Sequence, residues 1–309
     1  MTLTRTLVVL TTVIAAVFAG DATVPSATVA SANACSDSAK ISWSPRAPRQ
    51  GALFRVRVAG APSDAVLSGT VAGETLHFVD AESFAAIPID ASDTLGVTVE
   101  CRSTGSVDTL LARIPTAHGE YPLERLRVAP TFGQQPDSAL AARIKRESDR
   151  AAAVALQSHE TPRLWSKPFL RPRDSRITSG FGRGREFNGT VTSRHMGTDF
   201  AGATGAPVRA ANRGVVRIIG SFHYGGNVVY VDHGGGLTSA YLHLSRQLVA
   251  EGDTVERGQV VGRVGATGRV TGPHLHLIVR YGRVTVDPMT LFALAGEAPQ
   301  RSGQATPRK

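Results

Sequence analysis

Three histidines and one aspartate carry the chemistry that this 309-residue chain makes legible: His195, Asp199, His274 and His276. His274 and His276 are two residues apart. A strand repeats its side-chain direction every two residues, so both imidazoles would leave one face of a strand. His195, Gly197 and Asp199 would share a face by the same rule, with glycine leaving open space between two polar side chains. Two imidazoles and a carboxylate meeting in space make a three-ligand zinc site with one coordination position left for water. One histidine of the His274–His276 pair then stays free for acid–base work, which is the arithmetic of a hydrolase.

Residues so spaced need strands and tight turns to hold them. From 166 to 293 the chain reads as β-rich, with strand-like runs such as Asn227-Val228-Val229-Tyr230-Val231 and His274 to Val279 separated by glycine-rich turns. Gly180-Phe181-Gly182-Arg183-Gly184 imitates a phosphate loop, but no helix follows and a turn is expected. Residues 36–128 alternate in short runs, as in Leu53-Phe54-Arg55-Val56-Arg57-Val58, and predict an immunoglobulin-like β-sandwich. His77 and His118 in that stretch have no evident partners and read as ordinary strand or surface histidines. Residues 129–165 change character. PDSALAARIKRESDRAAAVAL is rich in alanine, leucine and charge, and predicts one linking helix capped by Asp137 or Ser138. His159-Glu160 opens like a His-Glu-x-x-His zinc helix, but Pro162 breaks it and the second histidine is missing. The expected class is mostly β: an N-terminal sandwich, one linking helix and a C-terminal antiparallel β-sheet domain.

Aromatics are low at 6%, glycines number 32, and the net charge of +9 points to an anionic partner or surface. No zinc finger, helix-turn-helix or aromatic–basic RNA motif accompanies that charge, so nucleic acid is not expected as a partner. Arg5 followed by the short apolar run Thr6 to Ala19 reads as a signal peptide over residues 1–22, too short for a comfortable membrane span. Residues 23–34 read as a spacer and 294–309 as a disordered basic tail. Export makes a Cys35–Cys101 disulfide the expected use of the two cysteines. No stable membrane span is expected once the signal is removed.

Three ordered motifs resemble the lysostaphin-type (LytM-like) zinc endopeptidases, which cut peptide bridges or stems of bacterial peptidoglycan. They are Arg194-His195-Met196-Gly197-Thr198-Asp199-Phe200, Tyr241-Leu242-His243-Leu244-Ser245 and Thr271-Gly272-Pro273-His274-Leu275-His276. The stretches Gly225 to Gly234 and Gly252 to Gln259 agree, and the likeness covers about 175–290. Trp165 to Phe169 and Gly182 to Asn188 are similar to the variant with an N-terminal β domain. After the His-x-His pair this chain has Leu277-Ile278-Val279-Arg280, where many members carry aromatic and acidic residues, a departure that bears on substrate preference.

The resemblance implies that His195, Asp199 and His276 hold one zinc ion, and that His243 and His274 are catalytic, one accepting a proton and the other serving the oxyanion and leaving amine. It leaves open which acts first. Asn188 either occupies the fourth zinc position, as an upstream asparagine does in some latent relatives, or shapes a groove loop. His223 and His233 read as structural. The function implied is an exported zinc-dependent endopeptidase acting on peptidoglycan in the periplasm, the cell envelope or outside the cell. The alternatives are a catalytically silent wall-binding activator of another hydrolase and a secreted protease for glycine-rich proteins.

Overall fold

A computed structural model describes residues 35–103, 105–132, 135–189 and 191–296. The expected signal peptide, the spacer and most of the basic tail lie outside the described residues. The first part runs α1 (Cys35–Ser38), β1 (Lys40–Ser44), β2 (Leu53–Ala59), β3 (Val66–Val71) and β4 (Glu74–Thr75). It continues through β5 (Glu82–Ala86), β6 (Thr94–Ser103) and β7 (Ser106–Pro115). These strands make two antiparallel sheets, β1-β2-β5 and β4-β3-β6-β7. In β2 the alternation seen in the sequence sends Phe54, Val56 and Val58 inward, where they share one core with Val97, Val99 and Cys101 of β6. Cys35 and Cys101 form the disulfide, tying the first helix to that core.

The next strand departs from the expected boundary. β8 (Leu123–Leu126) lies within 36–128, yet it pairs in parallel with β10 (Gly184–Phe187) rather than with β1–β7. Its ladder partner is therefore supplied by the C-terminal half. Helix α2 (Ser138–Gln157) follows, with Asp137 as N-cap accepting from the Leu140 amide at 2.8 Å. The helix does more than link. Ala151 and Val154 pack on Ile218, Val228, Tyr230, Ala240 and Leu242, so it covers part of a sheet face.

That sheet is built from β9 (Ile177–Ser179), β12 (Thr198–Ala201), β13 (Pro207–Arg209), β14 (Gly214–Phe222), β15 (Gly226–Gly234), β16 (Leu237–Gln247), β17 (Thr254–Val255), β18 (Val260–Val264), β19 (His274–Tyr281) and β20 (Val284–Val286). Its main path runs β17-β14-β15-β16-β19-β12-β9, and its pairings are antiparallel. β11 (Val191–Arg194) pairs with β10 outside it. The protein is mostly β, as the sequence predicts. Along β19, Leu275, Leu277, Val279 and Tyr281 enter the main core with Phe200, Tyr241 and Leu244, leaving His274 and His276 to the opposite face. Helix α3 (Pro288–Gly296) closes the described chain. Its Leu291 and Leu294 are buried, so the fold extends past residue 293.

All described residues fall in one compact unit. Leu53 and Ala86 of the first sheet join the main core, and the Asp287 amide donates to the Gly51 carbonyl at 2.7 Å.

Candidate metal centre

Antiparallel pairing sets Asp199 of β12 directly opposite His276 of β19, where facing side chains converge. Asp199 Oδ1 and His276 Nδ1 are 2.7 Å apart. His195 reaches the same point by another route. It lies between β11 and β12 rather than on the strand with Asp199, so the expected strand alternation does not place it. A turn through Met196 and Gly197 does, and its Nε2 stands 3.0 Å from Asp199 Oδ1 and 2.9 Å from His276 Nδ1. Gly197 is required there, because a Cβ would collide with the Leu277 carbonyl oxygen and lie 2.6 Å from the His276 ring.

The hydrogen bonds around these side chains decide what they offer. His195 Nδ1 is 2.7 Å from the Gly180 carbonyl, so it carries the proton and leaves the Nε2 lone pair facing the cluster. The Gly182 and His195 amides lock the same turn, donating to the His195 and Arg183 carbonyls at 2.7 Å each. Burial pushes the His276 imidazole down to about 4, so it is neutral near pH 7. Burial also opposes ionisation of Asp199, but the close polar contacts with the His195 and His276 rings outweigh it and hold the carboxyl well below its usual range. Three buried acceptors thus converge on one point, an arrangement that a cation satisfies. One ion can stand ~2.0–2.2 Å from all three atoms of so small a triangle, and two imidazoles with a carboxylate suit zinc.

His243 and His274 flank the cluster. Their rings are 4.9 Å apart, and His243 is 5.7 Å from the His276 ring. Each has its Nδ1 committed to a carbonyl at 2.8 Å, Thr267 for His243 and Gly272 for His274, which leaves Nε2 as an acceptor. His274 Nε2 lies 3.7 Å from Asp199 Oδ1. His243 adopts φ +64° where the pairing of β16 with its neighbours slips register. A non-glycine residue held there costs on the order of 1–3 kcal/mol, and the bulge turns its ring toward the cluster. Burial, then the His276 and His274 rings, hold His243 well below its usual pKa.

Residues 193–288, which span all five of these side chains, match the model of peptidase family M23. The catalytic domain of lysostaphin from Staphylococcus simulans is 32% identical, with 39% of this chain covering 93% of that one at a TM-score of 0.36. Residues 193–288 are a peptidase family M23 domain. Over 137 residues the chain is 44% identical to the peptidoglycan DD-endopeptidase ShyA of Vibrio cholerae serotype O1, which is 42% of this chain and 31% of ShyA. The chain spans less than a third of the length of the curated relatives it matches first. An M23 chain from Pseudomonas aeruginosa is similar over 79% of this chain and 95% of its own, with 27% identity and a TM-score of 0.62, so the likeness in fold reaches beyond the M23 match.

Around the cluster of His195, Asp199 and His276 stand residues the sequence did not single out. Arg185 of β10 donates to Asp199 Oδ2 at 2.6 Å, which leaves Oδ1 to the cluster. Glu124 of β8 faces Arg185 at 3.5 Å, a charge contact rather than a hydrogen bond, and accepts from Arg183 at 3.2 Å. Glu124 also accepts from Ser179 Oγ at 3.0 and 3.1 Å, and that hydroxyl lies 3.2 Å from His195 Nδ1. No motif flags an arginine whose partner Asp199 lies 14 residues away, or a glutamate whose partners lie 55 to 61 residues away. Asn188 is not at the cluster. Its side chain pairs twice with the Val128 backbone, at 3.0 and 3.1 Å, and extends the β8–β10 ladder. His77 is not without a partner either: its Nε2 meets His159 Nδ1 at 2.8 Å, and His159 Nε2 meets buried Glu74 at 2.9 Å.

Two cavities of about 160 and 290 Å³ open beside the centre and share Arg185 and Arg269 as walls. His195, His243 and His276 line the first, and Asp199 and His274 the second.

Proposed function

We propose that this chain is an exported zinc-dependent endopeptidase that hydrolyses peptide bonds of peptidoglycan. The observation that carries the reading is the convergence of three buried acceptor atoms, from His195, Asp199 and His276, beside two further imidazoles with unspent Nε2 atoms. Those three residues would hold one zinc ion. When bound, zinc supplies Lewis acidity, which makes a nearby water acidic and polarises the scissile carbonyl.

The chain's own groups do the rest. His243 and His274 present acceptor nitrogens at the cluster edge, so between them they take a proton from the attacking water. The water oxygen joins the carbonyl carbon, the C–N bond breaks, and the proton passes to the leaving amine. Burial keeps His243 neutral, which suits it to start as an acceptor. Arg185 keeps Asp199 oriented. The peptidoglycan substrate is supported by the likeness to ShyA and by the basic charge of the chain, which favours an anionic polymer. Export is supported by Arg5 and the apolar run after it.

A silent wall-binding role is disfavoured, because His195, Asp199 and His276 converge and two further imidazoles stand beside them. Purified peptidoglycan incubated with the zinc-loaded protein should release new peptide termini, and a chelator should stop the release. Mass spectrometry of the fragments identifies the bond. Absence of new termini from wall, with cleavage of a glycine-rich protein instead, would move the assignment to a secreted protease.

A further inference from the structure

Arg269 lies in the loop between β18 and β19 and forms a wall common to both cavities. Its guanidinium carbon stands 4.0 Å from the centre of the Phe187 ring and 4.1 Å from that of Tyr224. Its amide donates to the Tyr224 carbonyl at 2.9 Å, which anchors the loop at the same place. Two aromatic contacts restrict the position of the group while leaving its N–H edge available. Among the described residues that edge makes no hydrogen bond and no ion pair.

The contrast with Arg185 is direct. Arg185 borders the same two cavities, and two carboxylates, Asp199 and Glu124, answer its charge. Arg269 is half-buried and has none. An unpaired cation in a partly desolvated wall is costly to hold, and a planar fork of N–H donors fits a carboxylate. Resting on the endopeptidase reading above, we propose that Arg269 binds a free carboxylate of the substrate peptide next to the scissile bond. Two kinds of carboxylate meet that description: the C-terminal one and that of an acidic residue within the peptide.

The test uses the full zinc-loaded protein and a synthetic cross-linked stem peptide in three forms: unmodified, amidated at its C-terminus, or amidated at its internal carboxyl. One amidation should raise KM and lower kcat/KM at least about tenfold, as expected for a lost charge-assisted pair, and shows which carboxylate is bound. In Arg269→Gln the acid-to-amide ratio should fall to near one, and Arg269→Lys should restore part of it. Melting temperature and zinc content are measured on each variant, since a purely structural stacking role would move stability and leave the ratio intact. A native ratio in Arg269→Gln overturns the proposal. If no form is cut, the endopeptidase reading fails on its own account, and the carboxylate assignment is then read from calorimetric binding of the acid and amide peptides. Tighter binding of the acid by native protein, lost in Arg269→Gln, supports it; equal affinities overturn it.

Discussion

Asp199 has two oxygens with separate duties. Oδ1 faces the two imidazoles, and Oδ2 is held by Arg185. Removing that outer partner typically costs 10–100-fold in metal affinity. Arg185→Ala is therefore expected to weaken zinc binding by about that factor in a chelator competition; unchanged affinity would leave Arg185 without a role at the centre. His233 gives a prediction away from the metal. It is fully buried between the Arg213 carbonyl and Ser239 Oγ, each 2.8 Å away, and burial lowers its pKa to about 4. Below its ordinary value of 6.5 the unfolded chain takes up a proton that the folded one refuses until about pH 4. Its contribution to stability is thus intact above pH 6.5 and drains away as the pH falls toward 4, by at most about 1.4 kcal/mol per pH unit. Urea midpoints across that window should fall less steeply in His233→Gln than in the native protein. The three cluster residues were legible because few residue types bind zinc and each of the two motifs, His195 to Asp199 and His274 to His276, is short. Arg185 and Glu124 were not, since arginine and glutamate are common and only the folded ladders bring them to Asp199 and Ser179.

Single strands carry most of the positioning. The alternation of β19 puts two imidazoles on one face and four core side chains on the other, and β12 meets it in the register that opposes Asp199 to His276. That much follows from the sequence pattern. The placement of His195 does not, because a turn rather than a strand delivers it, and turn geometry leaves no period to read. The bulge at His243 was equally hidden: nothing in Tyr241-Leu242-His243-Leu244 announces a residue at φ +64°. That strain has a measurable consequence. Glycine accepts positive φ without the Cβ penalty, so His243→Gly should be more stable than His243→Ala by about 1 kcal/mol in urea unfolding, although neither retains the imidazole. A less stable glycine variant would mean that the positive φ carries no strain.

On the scale of the whole molecule, the N-terminal half does not simply precede the M23 domain. β8 supplies Glu124 and the third strand beside β10, α2 covers a sheet face, and the first sheet joins the main core through Leu53 and Ala86. The sequence shows two β-rich halves and a helix, but pairing between segments so far apart leaves no local pattern. A fragment of residues 116–296 should hold zinc more tightly than one of 166–296, because only the longer piece contains β8 and α2. Equal affinities in a competition assay would confine Glu124 and its strand to a scaffolding role. His274 and His276, on either side of Leu275, are expected to divide the labour between proton transfer and metal binding. Zinc content and turnover of peptidoglycan should be measured together in His276→Ala and His274→Ala. Both variants should lose activity, the second by roughly 10²–10⁴-fold, while only His276→Ala loses its zinc. Zinc retained in His276→Ala, or lost in His274→Ala, would contradict this division.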